Sequence, residues 1–224
     1  MTIAISDSER SAMHGMAFAI VATVIAGFLD AVGFTYLSGL YISFMSGNST
    51  GLAVALAQGR DHFVVAAAAV IGSFVAGAFI GSALQIWNVM SGAAGVMLVQ
   101  LLMLLLSMAL VDRAEPSVSL LPVCLAMGMQ NAVTRSVAGV ETGRSFVTGA
   151  LFGIGHSLAL ATRSAIHLKQ AMVHATTWLA LICGAFTGSL TLTHYGLMAS
   201  LQICALAIFV TAILEWWGRQ RVAV

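Results

Sequence analysis

The sequence predicts an all-α fold: a polytopic membrane helix bundle forming one integral domain over residues 1–224. Two four-segment repeats are expected, with a short polar broken helix as the second segment of each. Three observations carry this. First, 60% of the 224 residues are hydrophobic and only 8% are charged, against about 25% charged in an average soluble domain. Such a chain cannot cover itself with polar surface, so lipid is its expected solvent. Second, apolar runs recur at about the 20 residues that one bilayer crossing needs. Third, short glycine-bearing strings recur in the same order in the two halves.

The elements follow in order. The opening MTIAISDSERSAMHG places Asp7 and Glu9 beside Arg10, and the apolar run behind it is too long for a secretory leader. Residues 13–36 therefore read as a retained span. Residues 41–58, which contain GLYISFMSGNST, are short and polar. Residues 63–87, 92–111 and 117–138 are long and apolar, residues 145–162 are short and polar again, and 170–191 and 195–217 close the chain. Charges gather in the connections Gly59 to His62, Asp112 to Glu115 and Arg163 to Lys169.

The repeat is read from three matches. GFLDA at Gly27 lies over GMQNA at Gly128, SFMSGNSTG at Ser43 over SFVTGALFG at Ser145, and GAFIGS at Gly77 over GAFTGS at Gly184. The halves are about 13–111 and 117–217. Gly47/Gly51, Gly77/Gly81, Gly149/Gly153 and Gly184/Gly188 each put two glycines on one helix face, where they let backbones approach. A solute passing close to the backbone is the other use of such a face.

Lys and Arg set the orientation. Eight crossings place seven of the nine on one side, and six crossings, with the two polar segments re-entrant, also place seven. Both counts put the termini in the cytoplasm of a bacterial inner membrane. Eight makes the repeats parallel, six makes them inverted. The helical part of 43–58, about 24 Å at 1.5 Å per residue, favours eight.

Asp30 lies deep in the first span, where a carboxylate on a lipid-facing helix costs about 2.5–3.5 kcal/mol. It is expected to face the bundle and to suit either a proton relay or an ion pair with Arg135, which follows Asn131, the repeat partner of Asp30, by one helical turn. A pair that only fixes helix packing is the competing reading. Glu141 and Arg144 read as a loop pair or an entrance. His156 reads as a partner of a neighbouring helix. In each half Ser-Phe-x-Ser/Thr-Gly begins a short helix whose free N–H groups favour a polar or anionic solute. Ser43, Ser46, Gly47, Asn48 and Thr50 form one half of the expected binding set, and Ser145, Thr148 and Gly149 the other. Ala150 stands opposite Asn48, which makes the site asymmetric. The bland reading is that these hydroxyls bond their own helix.

Taken together, GFLDAVGFTYLSGLYISFMSGNST, GMQNAVTRSVAG and SFVTG resemble the YoaK-like family of uncharacterised bacterial inner-membrane proteins over about 13–217. The resemblance implies a multi-pass inner-membrane protein and no settled reaction. The residues point to a small secondary transporter or permease for a small anion or polar metabolite, proton-coupled through Asp30. A structural, lipid-handling or partner-binding membrane protein is the alternative. No enzyme is expected, because only Ser46 and His156 tempt and nothing spaces them. No metal set is spaced for binding, and Cys124, Cys183 and Cys204 stand alone, so no cofactor is expected. With net charge +1 and no basic block, nucleic acid is excluded as a partner. The expected partners are the bilayer and the solute, with a homo-oligomer left open.

Overall fold

The computed structural model describes residues 7–87, 93–132, 135–137, 140–142 and 147–222. Side chains are described within these ranges except at 7–14, 93–94, 135–137, 140–142, 215–216 and 218–222. In order, the elements are α1 (Asp7–Tyr36), α2 (Met45–Ala57), α3 (Asp61–Ile86), α4 (Ala93–Leu110), α5 (Pro116–Ser119) and α6 (Leu121–Gln130). The hairpin β1 (Arg135–Val137) and β2 (Val140–Thr142) follows, then α7 (Val147–Ala161) and α8 (His167–Val222). The architecture is all-helical apart from this hairpin. Both prolines of the chain sit in the first turns of α5 and α6, where a missing N–H loses no helical bond.

Two expected segments need correction. The span expected over 117–138 is helical only to Gln130, after which the chain pairs antiparallel with Arg135 opposite Thr142 and Val137 opposite Val140. Arg135 is therefore not one helical turn beyond Asn131. Val137 and Val140, which face each other in the hairpin, are β-branched and favour extended backbone. The segments expected at 170–191 and 195–217 belong to one element, α8, interrupted at Gly196 (φ 79°, ψ 179°). The apolar part of α8, His167–Leu214, holds 48 residues. Straight, it would be about 72 Å long, more than twice the roughly 30 Å hydrocarbon core. It must turn back, and only a residue without Cβ takes that φ cheaply.

The faces are those of a protein solvated by lipid. Phe79 on α3, Phe152 on α7 and Phe186 on α8 are exposed, while Asp30, Ser43, Asn48, Gln100, Ser107 and Ser200 are buried. Gly15–Tyr36 and Asp61–Ile86 are, with α8, long and apolar enough to cross a membrane.

Glycines set the closest contacts. A Cβ on Gly27 would overlap the Leu181 carbonyl, and one on Gly184 or Gly188 would overlap the carbonyls of Val24 or Phe28. A Cβ on Gly77 would overlap the Leu125 carbonyl, and one on Gly128 that of Phe74. So α1 meets α8, and α3 meets α6, backbone against backbone. Both pairs are parallel. Ser73 donates to the Leu121 carbonyl at 2.7 Å and Gln85 to that of Ala132 at 2.8 Å, while Val24 lies by Gly184 and Phe28 by Gly188. Helices α6 and α1 touch where Gln130 donates to the Ala22 carbonyl at 3.5 Å.

Candidate functional site

The site begins at the end of α1. Leu37 N–H donates to the Gly33 carbonyl at 2.7 Å and Gly39 N–H to that of Phe34 at 2.8 Å, closing the helix. Ser38 (φ 53°) and Gly39 (φ 107°) then reverse the chain. Residues 40–44 fold back along α1. Asp30 and Gly33 are three apart and share a helix face. Gly33 leaves the space that the buried Ile42 side chain occupies, and the next residue, Ser43, meets Asp30. Ser43 N–H donates to Asp30 Oδ1 at 2.5 Å, and its hydroxyl donates to Oδ2 at 2.7 Å. Asp30 is 8% exposed and Ser43 4%.

A second clamp holds the same loop to α2. Asn48, 1% exposed, accepts from Tyr41 N–H at 2.8 Å and donates to the Tyr41 carbonyl at 2.8 Å. It thus reads both backbone groups of one residue, as a neighbouring strand would. Beside it the Tyr41 ring meets Phe34 at a tilt and Phe44 edge to face, with centroids 4.9 and 5.2 Å apart. Gly47 is where a Cβ would strike the Phe44 and Tyr41 rings. Replacing Asn48 by Leu is expected to cost about 2 kcal/mol, since both Tyr41 groups lose a partner where water is scarce. Urea titration of the purified protein checks this, and an unchanged midpoint would refute the clamp.

The remaining expected residues separate. Ser46 is exposed, and Thr50 is exposed with its hydroxyl on the Ser46 carbonyl of its own helix, 3.1 Å away. Asn131 donates to the Met127 carbonyl, also on its own helix, at 2.9 Å, so it does not repeat the Asp30 clamp. The strand that Arg135 begins packs against α1, but its side chain lies outside the described part, as do those of Glu141 and Arg144 and the whole of Ser145. Thr148 and Gly149 are exposed in α7, and Ala150 is buried. His156 is exposed and stacks on Phe152 at 5.7 Å.

Sequence reasoning missed a second polar cluster in the bundle. Gln100 on α4 is 2% exposed and donates to Gln130 Oε1 at 2.6 Å, and Gln130 reaches back to α1 at Ala22. Ser107 shares the buried face of α4, and its hydroxyl has no hydrogen-bond partner among the described residues. The signal was present. Gln100 and Ser107 are the polar residues of an otherwise apolar run, GVMLVQLLMLLLSMAL, and are seven apart, two helical turns.

Comparison with known proteins agrees with this picture. Residues 18–214 match the model of a family described as a protein of unknown function, DUF1275. UPF0700 transmembrane protein RA0705 of Rhizobium meliloti (strain 1021) is similar to this chain, 28% identical over 216 residues that cover 91% of the chain and 88% of the relative. No solved structure matches. With its apolar outer faces and buried polar groups, this chain belongs to the DUF1275 family and is a membrane protein within it.

Proposed function

We propose that the chain is a small secondary transporter or permease for a small polar or anionic solute, built from two inverted repeats. The observation that carries this reading is the direction of the helices. If α6 is parallel to α3 and antiparallel to α1, then α3 runs against α1. The end of α1 and the start of α3 then lie on one side, and the loop with α2 enters and leaves the membrane there. Helix α2 has 13 residues, about 20 Å, short of the roughly 30 Å core. The 15-residue α7 stands in the same relation to α6 and α8. This is six crossings with two re-entrant helices.

The glycine contacts support the duplication. Gly27 of the first half meets Leu181 and Ala185, which flank Gly184 in the second, and the matching Gly128 of the second meets Phe74 and Ala78, which flank Gly77 in the first. The exchange is reciprocal, as a twofold relation in the membrane plane requires. Inverted repeats with broken helices and a site near the midplane are a transporter plan. A buried carboxylate at the broken helix suits ion coupling. On this reading the membrane is the bacterial inner membrane with both termini cytoplasmic, and no catalytic step is assigned.

Labelling a single cysteine tests the topology. In a cysteine-free background, Asp61→Cys is expected to react with an impermeant maleimide from the periplasmic side. Reaction from the cytoplasmic side alone restores eight crossings and removes the inverted repeat. Uptake into vesicles of purified protein, driven by a pH gradient, tests transport itself.

A second reading, a structural or partner-binding membrane protein without transport, draws on the Asn48 clamp. There the buried Asn48 amide uses both its oxygen and its nitrogen on the Tyr41 backbone, a purely local, structural role. Vesicles that pass no polar solute under any gradient would favour it.

A further inference from the structure

We propose that the Asp30 carboxylate is a binding site for solutes carrying two adjacent hydrogen-bond donors, such as an amino alcohol or a guanidinium, and that Ser43 occupies it until the solute arrives. The inference rests on the transport reading and narrows its solute. Ser43 offers Asp30 a backbone N–H and a hydroxyl, one to each carboxylate oxygen. This is the arrangement by which a guanidinium fork meets a carboxylate. An ionised carboxylate only accepts hydrogen bonds, so a ligand that displaces Ser43 must donate. A small anion brings a like charge and no donors.

The loop is built to move as a unit. It hinges at Ser38 and Gly39, both in the left-handed region, and a Cβ at Gly39 would meet nothing within 4 Å. At its far end Asn48 ties Tyr41 to α2, so the loop and the first turn of α2 travel together. Ser43 cannot simply leave, because a buried carboxylate without donors is costly. Departure of Ser43 and arrival of an equivalent donor pair are therefore coupled. This exchange makes the loop a lid that opens for a matched solute.

Binding to the purified full-length protein in detergent tests this, read by calorimetry. The probes are ethanolamine, guanidinium chloride, tetramethylammonium chloride and sodium acetate at matched millimolar ionic strength. Ser43→Ala removes one of the two internal donors. It is expected to tighten ethanolamine and guanidinium about tenfold or more, the worth of one hydrogen bond to a charged group. Acetate and tetramethylammonium should gain nothing, and Asp30→Asn should lose the response. Ser43→Ala binding acetate more tightly by the same factor, or leaving every probe unchanged, overturns the proposal. Should Asp30→Asn fail to fold, tetramethylammonium decides within Ser43→Ala. It has the charge without the donors, and binding equal to guanidinium overturns the proposal. Donor binding without flux in vesicles keeps this site and removes the transport reading. Flux of acetate without donor binding does the reverse.

Discussion

Gly184→Ala and Gly77→Ala are each expected to destabilise the purified protein by about 2–3 kcal/mol, the range for inserting a methyl into filled space. Two effects oppose each other. Alanine is a better helix former than glycine by about 1 kcal/mol, which favours the variant. Against it, the new Cβ would lie on a carbonyl of the facing helix, Val24 or Leu125, and a backbone cannot rotate aside as a side chain does. The overlap wins, because relieving it separates two whole helices. Gly72 is the control. It lies on an exposed face of α3 with nothing within 4 Å of its Cβ position, so only the propensity term remains. Gly72→Ala should leave stability unchanged or raise it by up to about 1 kcal/mol. Thermal unfolding in one detergent compares all three, and equal losses at the three positions would defeat the packing account.

Asp30→Leu is expected to have the largest effect, a loss of about 2–6 kcal/mol, because two buried donors lose their acceptor. Leucine fits the membrane, yet it leaves the Ser43 N–H and hydroxyl without an acceptor inside the bundle. Each stranded donor costs about 1–3 kcal/mol. Asp30→Asn should cost much less. Its carbonyl accepts from Ser43 N–H, and the Ser43 hydroxyl can turn and accept from its amide. If the transport reading holds, this variant folds and loses pH-dependent uptake, which separates the carboxylate's charge from its role in shape. Uptake at the wild-type rate in folded Asp30→Asn would remove the coupling role, and a fully stable Asp30→Leu would remove the clamp.

Much of the site was legible in part. That Asp30 faces inward followed from the cost of a carboxylate in lipid, and its burial agrees. Ser43, Asn48 and Thr50 stood out together as polar residues crowded into an apolar chain, and of these Thr50 bonds its own helix, the bland alternative. A hydroxyl side chain is equally able to serve a neighbour or its own turn, and spacing does not distinguish the two. The Gln100–Gln130 pair was overlooked because Gln100 is a lone amide in its apolar run and Gln130 stood only as part of GMQNA. Their meaning appears only when α4 and α6 lie side by side.

The amino-acid sequence by itself determined the solvent, the rough limits of most helical segments, and the rule that polar atoms turn inward. These depend on composition and on local length, and each segment answers them alone. Only the tertiary structure decided that the loop returns to Asp30 and that the segment after Gln130 leaves the helix for a hairpin. Direction and partnership are relations between helices. Charge counts allow both six and eight crossings equally, and contacts such as Gln130 with Ala22 or a glycine against a facing carbonyl exist only once the helices are packed.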